Sequence, residues 1–201
     1  MGERLIDVVP AMKALHLRYV GCWRELDLDF APGLNIITVE DSGYGSTTIF
    51  NAIRTALMPT WSFGGRFEDR LRKTYSSEGR ISVELMGPTV SLDIASFDQL
   101  TDEPKKHNCE GWLAFLQEYL AAASEAGCLL IESTLSGVLD DLYFREAVKL
   151  LNAARGQVLC LIPHRVRLEE FHDVFPTARV FAIRMIRPEG REEPAMITLQ
   201  Q

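Results

Sequence analysis

The sequence lacks the features of a membrane protein, a secreted protein or a zinc-binding protein. No hydrophobic run approaches the roughly 20 residues of a transmembrane helix, so we expect no membrane-spanning segment. The N-terminus carries acidic residues early and has too short an apolar stretch for a signal peptide. The four cysteines form no C-x-x-C pair, which argues against zinc. These absences predict a cytoplasmic protein in which Cys128 and Cys160 are buried hydrophobic residues.

An excess of positive charge is also missing. The formal net charge of −7 argues against a protein that wraps nucleic acid over its whole surface. One local basic cluster lies between residues 66 and 80, where three acidic residues dilute it. Its members are Arg66, Arg70, Arg72, Lys73 and Arg80. Such a cluster is either a solvated face or a contact for a phosphate backbone, and both interpretations stay open.

The hydrophobic pattern changes between the two halves of the 201 residues. In the first half, apolar and polar residues alternate in runs that predict antiparallel strands, at 13–20, 26–30, 80–85 and 90–96. In the second half, short apolar runs alternate with helical patterns, which predicts a largely parallel sheet. We therefore expect one α/β domain, 1–201, with residues 1–12 as an N-terminal extension. It should contain a mixed sheet with parallel core strands and an antiparallel β-subdomain.

The remaining elements follow from the same patterns. Helices are predicted at residues 47–57, 110–126, 141–154 and 168–174. Buried strands are predicted at residues 34–39, 128–131, 157–162 and 178–186, with a last strand at 195–199. On the second helix, Trp112, Phe115 and Tyr119 follow helical spacing and are expected to face the core.

Residues 34–57 combine a buried strand, a loop with two glycines and a helix. This order is the geometry of a phosphate-binding loop, usually Gly, four residues, Gly, Lys and then Ser or Thr. Here the eight positions read EDSGYGST, so Glu40 replaces the first glycine and Ser46 replaces the lysine. Gly43 and Gly45 still allow backbone N–H groups to surround an anion. The alternative is a tight turn between strand and helix, with no ligand.

Several segments in order resemble the ATP-binding head of the SMC, RecF and SbcC group of ABC-type ATPases. Residues 31–35 (APGLN) precede the loop and residues 51–53 (NAI) follow it, as in that group. Residues 129–140 (LLIESTLSGVLD) resemble the Walker B strand and the D-loop. Residues 157–164 (QVLCLIPH) resemble the strand that ends in the switch histidine. The resemblance covers the chain from about residue 12 to residue 164 and implies a P-loop NTPase fold.

The resemblance also implies a set of functional residues. Nucleotide-binding positions would be Ser42, Gly43, Gly45, Ser46, Thr47 and Thr48. Thr47 and Glu132 would be the Mg²⁺ ligands, and Glu132, Ser133 and His164 occupy the catalytic positions. The coiled-coil arms of the family would insert near residues 98–108, a span too short to hold one. The chain would therefore be a bare head.

Two replacements in this set weaken the chemistry that the family performs. Two opposite unit charges ~6 Å apart, at an effective dielectric constant of ~20, attract each other by about 3 kcal/mol. Losing the lysine at Ser46 should therefore cost about a hundredfold in affinity. Ser133 replaces the glutamate that would activate water, and a serine is no general base near neutral pH without a partner base. We expect weak or absent binding of ATP and Mg²⁺, in a pseudo-ATPase head.

The leading hypothesis is a structural or regulatory subunit that docks on a protein partner. The partner would be an intact head of the same family or a second copy of this chain. The assembly would act in DNA repair, chromosome maintenance or defence, and it would provide the contact with DNA. One alternative is a divergent but working ATPase with Glu132 as its catalytic carboxylate. Another is a DNA-binding module that uses residues 66–80. A solvated Glu132 and a structural, hydrogen-bonded His164 also stay open.

Overall fold

A computed structural model describes residues 6–39, 45–58, 80–87, 109–122, 127–132, 141–162, 166–186 and 193–199. The strands in these ranges are β1 (Ile6–Pro10), β2 (Met12–Val20), β3 (Trp23–Asp29), β4 (Leu34–Val39), β5 (Arg80–Leu85), β6 (Gly127–Ile131), β7 (Gln157–Leu161), β8 (Arg179–Ile186) and β9 (Glu193–Leu199). The helices are α1 (Ser46–Leu57), α2 (Cys109–Ala122), α3 (Asp141–Asn152) and the one-turn α4 (Phe171–Val174), which a 3-10 turn, Leu168–Glu170, precedes.

Six strands form one mixed sheet in the order β1-β6-β7-β4-β8-β9. The four inner strands run parallel to one another, while β1 and β9 pair antiparallel at the two edges. Every residue of β4, β6 and β7 is buried, as expected for parallel strands that are covered on both faces. The prediction of a mixed sheet with a parallel core is confirmed.

The other three strands form an antiparallel sheet in the order β3-β2-β5. This sheet is the predicted antiparallel β-subdomain. Ala11 alone separates β1 from β2, so the chain leaves the six-stranded sheet and enters the three-stranded one within a single residue. The predicted extension at residues 1–12 thus contains a strand of the main sheet, and the predicted strand at 90–96 lies outside the described residues.

Apolar side chains cover both faces of the six-stranded sheet. Successive side chains of β4 point to opposite faces of the sheet, as in any strand. Ile37 packs with α1 and the three-stranded sheet, whereas Ile36 packs with α2 and α3. Helix α1 is therefore sandwiched between the two sheets. Cys128 and Cys160 are fully buried as predicted, and this burial raises the pKa of both thiols.

The observed elements differ from the sequence predictions at a few ends. Strand β3 begins at Trp23, three residues early, because a buried tryptophan continues its apolar face. Gly127, which directly follows the helix predicted at 110–126, is the first residue of β6, one residue before the predicted strand. The helix predicted at 168–174 is divided into a 3-10 turn and α4. Tyr119 is half-buried against the α2–α3 side of the core, while the side chains of Trp112 and Phe115 lie outside the described part.

A buried glutamine joins the two sheets. The side chain of Gln157, at the start of β7, accepts a hydrogen bond from the Met12 backbone N–H at 2.7 Å and donates one to the Met12 carbonyl at 2.7 Å. It also donates to the Ala31 carbonyl at 2.9 Å. The Asn35 side chain accepts from the Ala31 N–H at 2.7 Å and donates to the Gly33 carbonyl at 2.9 Å. Two amides therefore fix the start of β2 and the turn before β4.

Gln157→Leu should lower the free energy of unfolding by about 2–4 kcal/mol, because it removes the side-chain partner of the buried N–H and carbonyl groups of Met12. Chemical denaturation with linear extrapolation measures the loss. The matched control is Gln117→Leu on the exposed face of α2, which should change stability little. Equal midpoints for the two variants would contradict this role.

Ion pairs cover the solvent face of the three-stranded sheet. His16 Nδ1 lies 2.7 Å from Asp27 Oδ1, and its Nε2 lies 3.5 Å from Glu84 Oε1. Arg18 binds both oxygens of Asp27, at 2.8 and 2.9 Å. The hydrogen bond to Asp27 raises the pKa of His16 above its ordinary value of 6.5, and the hydrogen bond from Arg18 lowers the pKa of Asp27.

The raised pKa of His16 predicts a pH dependence of stability above neutrality. The stabilisation from protonated His16 is fully present below the unfolded value of 6.5 and is lost as the pH rises through the higher folded value. The melting temperature should therefore fall as the pH rises above 6.5, and His16→Gln should flatten this slope. His172→Gln, on the exposed side of α4, serves as the control and should keep it. An unchanged slope in His16→Gln would exclude the effect.

Candidate functional site

The end of the phosphate-loop-like segment is fixed by an indole ring. Gly45, which precedes α1, has a left-handed backbone with φ of 100°. The buried Trp23 donates from Nε1 to the Gly45 carbonyl at 3.0 Å. A Cβ at Gly45 would lie 2.8 Å from the Trp23 ring, so both the backbone angle and the close approach require glycine here.

The turn between β2 and β3 covers the first turn of α1. Gly21 has φ of +57°, and a Cβ there would meet the Thr48 methyl group at 2.7 Å. Burial raises the pKa of the Cys22 thiol, and a hydrogen bond with Thr48 offsets part of this rise. Thr48, predicted to bind nucleotide, is thus half-buried beneath this turn.

The other loop residues differ in exposure. Ser46, at the position of the family lysine, is 3% exposed, whereas Thr47 is exposed at the surface. The structure thus brings Gly45, Ser46, Thr47 and Thr48 to the start of α1, as the motif predicts. Ser42, Gly43, Ser133 and His164 lie outside the described residues, and their roles stay predictions.

Glu132, at the end of β6, forms an ion pair with a buried arginine of α1. Arg54 Nη1 donates to Glu132 Oε2 and, at 3.1 Å, to Asn51 Oδ1. Arg54 Nε donates to Asp7 Oδ2 at 2.6 Å. The side chains of Arg54, Asp7 and Glu132 are 4%, 1% and 17% exposed. Glu132 is therefore not a solvated residue at a strand end, and that interpretation is wrong.

The sequence analysis missed Asp7 and Arg54, although both carry a signal. Asp7 interrupts the apolar run IDVV, and Arg54 follows the buried residues Phe50 and Ile53 on the inner face of α1. A charge within an apolar pattern is buried only when it is paired, so each position indicates a partner from elsewhere in the chain. The local pattern does not say which partner.

The three charged groups sum to a formal charge of −1, since one guanidinium serves two carboxylates. The planar guanidinium suits this sharing because its donors point in different directions. Asp7 Oδ1 is buried and has no hydrogen-bond partner among the described residues. Removing the guanidinium would leave the buried Asp7 carboxylate without its cation and would take one cationic partner from Glu132.

The ion pair limits what Glu132 can do chemically. A carboxylate that accepts a hydrogen bond from a buried guanidinium is a weak ligand for Mg²⁺, since metal and guanidinium compete for the same negative charge. The same hydrogen bond occupies Oε2, an oxygen that a general base would use to accept a proton. Within the described ranges, no group of three or more His, Cys, Asp or Glu side chains could hold a metal ion.

The basic cluster at residues 66–80 falls almost wholly outside the described residues. Arg80, the first residue of β5, is exposed and lies directly opposite Arg18 of β2. Like charges in facing positions of neighbouring strands repel each other, and Arg18 is already bound to Asp27.

Comparison with solved structures defines the fold. Of eleven chains that match, one is the SMC head domain from Thermotoga maritima. The alignment covers 95% of this chain and 100% of that chain, with a TM-score of 0.51 and 11% sequence identity. This chain has the fold of an SMC head. At this identity the likeness concerns the fold alone.

Other comparisons give no match. No family model matches the sequence, and no curated protein is detectably similar to it. Among the described helices, none is long and apolar enough to cross a membrane. The ATPase-like fold that the motif order predicts is confirmed, and the consequences of the altered motifs remain predictions.

Arg54→Met should lower the free energy of unfolding by about 3–5 kcal/mol, because it leaves buried carboxylates without their cation. Adding Asp7→Asn or Glu132→Gln to that variant should restore part of the loss, since each removes an uncompensated charge. Thermal and chemical denaturation measure both steps. The control is Arg18→Met, which removes a solvent-exposed ion pair and should cost little. If Asp7→Asn or Glu132→Gln destabilised the Arg54→Met variant further, the loss would not come from carboxylates without a cation.

Proposed function

We propose that this chain is a cytoplasmic pseudo-ATPase head that acts as a structural or regulatory subunit. The observation that carries the proposal is the ion pair between Glu132 and the buried Arg54. Glu132 is the carboxylate at the Walker-B-like position, where the family binds Mg²⁺. Here its ion pair joins the end of β6 to α1, which favours a structural role over metal binding.

Two altered positions support the same conclusion independently. Ser46 supplies no positive charge for a triphosphate, and its side chain is buried at the start of α1. Ser133 supplies no carboxylate to activate water. Binding and hydrolysis each lose a principal group, while the packing of α1 between the two sheets is kept. A head that keeps this packing but lacks these groups fits a role in which another molecule recognises its surface.

The partner that fits best is a protein. We propose an intact ATPase head of the same family or a second copy of this chain, within a DNA-repair, chromosome-maintenance or defence assembly. The resemblance of the motif order to the SMC, RecF and SbcC group suggests this context, and the likeness to the SMC head domain of Thermotoga maritima supports the fold alone. DNA would be contacted through the assembly, because a formal net charge of −7 does not favour a large DNA-binding surface on this chain itself.

A thermal-shift titration with Mg-ATP tests the proposal. A ligand at a hundred times its dissociation constant stabilises the native state by about 2.7 kcal/mol. For a chain of this size each kcal/mol raises the melting temperature by roughly 2–4 °C. We expect a shift below about 1 °C at millimolar Mg-ATP, no larger than that with Mg²⁺ alone.

The rival function, a working divergent ATPase, predicts the opposite result. It requires a shift of several degrees and a hydrolysis rate that Glu132→Gln abolishes. Observing both would overturn the pseudo-ATPase proposal. A shift without hydrolysis would overturn the expected loss of binding and keep only the loss of catalysis.

A further inference from the structure

Strand β1 has five residues and lies at one edge of the main sheet. Among the described strands it pairs only with β6, from Ile6 opposite Ile131 to Pro10 opposite Gly127. Pro10 has no N–H to donate, which weakens the end of the ladder next to β2. A short edge strand of this kind is a natural unit of local opening, because few hydrogen bonds must break.

The two ends of β1 are held differently. At Met12, directly after Ala11, the Gln157 side chain binds both backbone groups of the chain. Before that point, β1 is held by its ladder to β6, by its apolar side chains and by Asp7. The chain thus has a fixed point at Met12, and β1 on the other side of Ala11 is held by separate contacts.

The pairing register brings β1 next to Glu132. Asp7 lies opposite Leu130, two residues before Glu132 along β6. Asp7 and Val9 lie on the α1 side of the sheet, while Ile6 packs on the opposite side. The contact between Asp7 and Arg54 therefore gives β1 a direct charged connection to the group that binds Glu132.

The charge of the cluster makes this connection weaker than a simple buried pair. Asp7 and Glu132 compete for one guanidinium, and the buried Oδ1 of Asp7 has no hydrogen-bond partner in the described part of the chain. Opening of β1 would let water form hydrogen bonds with Oδ1 of Asp7. Opening would also let water reach the Arg54–Glu132 pair, and an ion pair in water contributes little.

We propose that β1 is a latch on Glu132: while β1 pairs with β6, Asp7 and Arg54 hold the partly buried Glu132 at the end of β6, and opening of β1 releases it to solvent. The latch consists of Asp7, Arg54 and Glu132, joined across β1, α1 and β6. It does not depend on the proposed function, because a hydrolysing head with these contacts would have the same latch.

Amide hydrogen exchange of the full chain tests the latch through changes of opposite sign. Glu132→Gln removes the competitor for Arg54, so the bond between Asp7 and Arg54 strengthens and exchange in β1 should become slower, by about tenfold. Asp7→Asn weakens the connection, so exchange in β1 should become faster by a similar factor. A purely structural role predicts faster exchange in both variants.

Two controls separate the latch from general effects. Glu146→Gln, which removes an exposed pair with Lys149 on α3, should leave exchange in β1 unchanged. Exchange in β9, the antiparallel strand at the other edge, should not change in any variant. If Arg54→Met folds, adding Glu132→Gln to it should no longer slow exchange in β1.

Chemical labelling of carboxylates reports the exposed state directly. Carbodiimide coupling to an amine should modify Glu132 faster in Asp7→Asn than in the wild-type chain, with the rate following the opening of β1. Unchanged or faster exchange of β1 in Glu132→Gln would overturn the latch. So would labelling of Glu132 that is equally fast in Asp7→Asn and in the wild-type chain. Neither result bears on whether the head hydrolyses ATP.

Discussion

The buried guanidinium of Arg54 is the interaction on which the arrangement around the loop depends. It lies on the inner face of α1 and binds a carboxylate on β1 and another at the end of β6. Hydrophobic contacts alone would hold α1 between the two sheets, but they are not directional. Hydrogen-bonded charges are directional, and removal of one partner is costly. The cluster therefore fixes how α1 and the Walker-B-like strand meet.

Much of the fold could be predicted from local patterns. Strands β4 and β5 have the predicted bounds because each is a short run with a clear pattern between turn residues. The order of motif-like segments around the loop gave the ATPase-head fold. These inferences depend on residues that are close together in the chain, where spacing alone carries the information.

The candidate site was less predictable because its contacts are distant in sequence. Arg54 lies 47 residues from Asp7 and 78 residues from Glu132 along the chain. Gln157 lies 145 residues from Met12, to which it binds. A charged or amide side chain within an apolar pattern shows that a buried partner exists, but pairing across such distances follows only from the topology. The altered loop was visible in the sequence, whereas the use of Glu132 in an ion pair was not.

Because a single residue separates β1 from β2, the position of β2 determines which side chains of β1 face each side of the main sheet. Side chains of β1 alternate between the α1 side and the α2–α3 side of the main sheet, and Asp7 is on the α1 side. Because Gln157 fixes Met12, a residue inserted or deleted at Ala11 would rotate every side chain of β1 to the opposite face. Asp7 would then enter the apolar layer under α2 and α3, and Ile6 would face the guanidinium. Length variation at this junction should therefore be far less tolerated than in an ordinary surface connection.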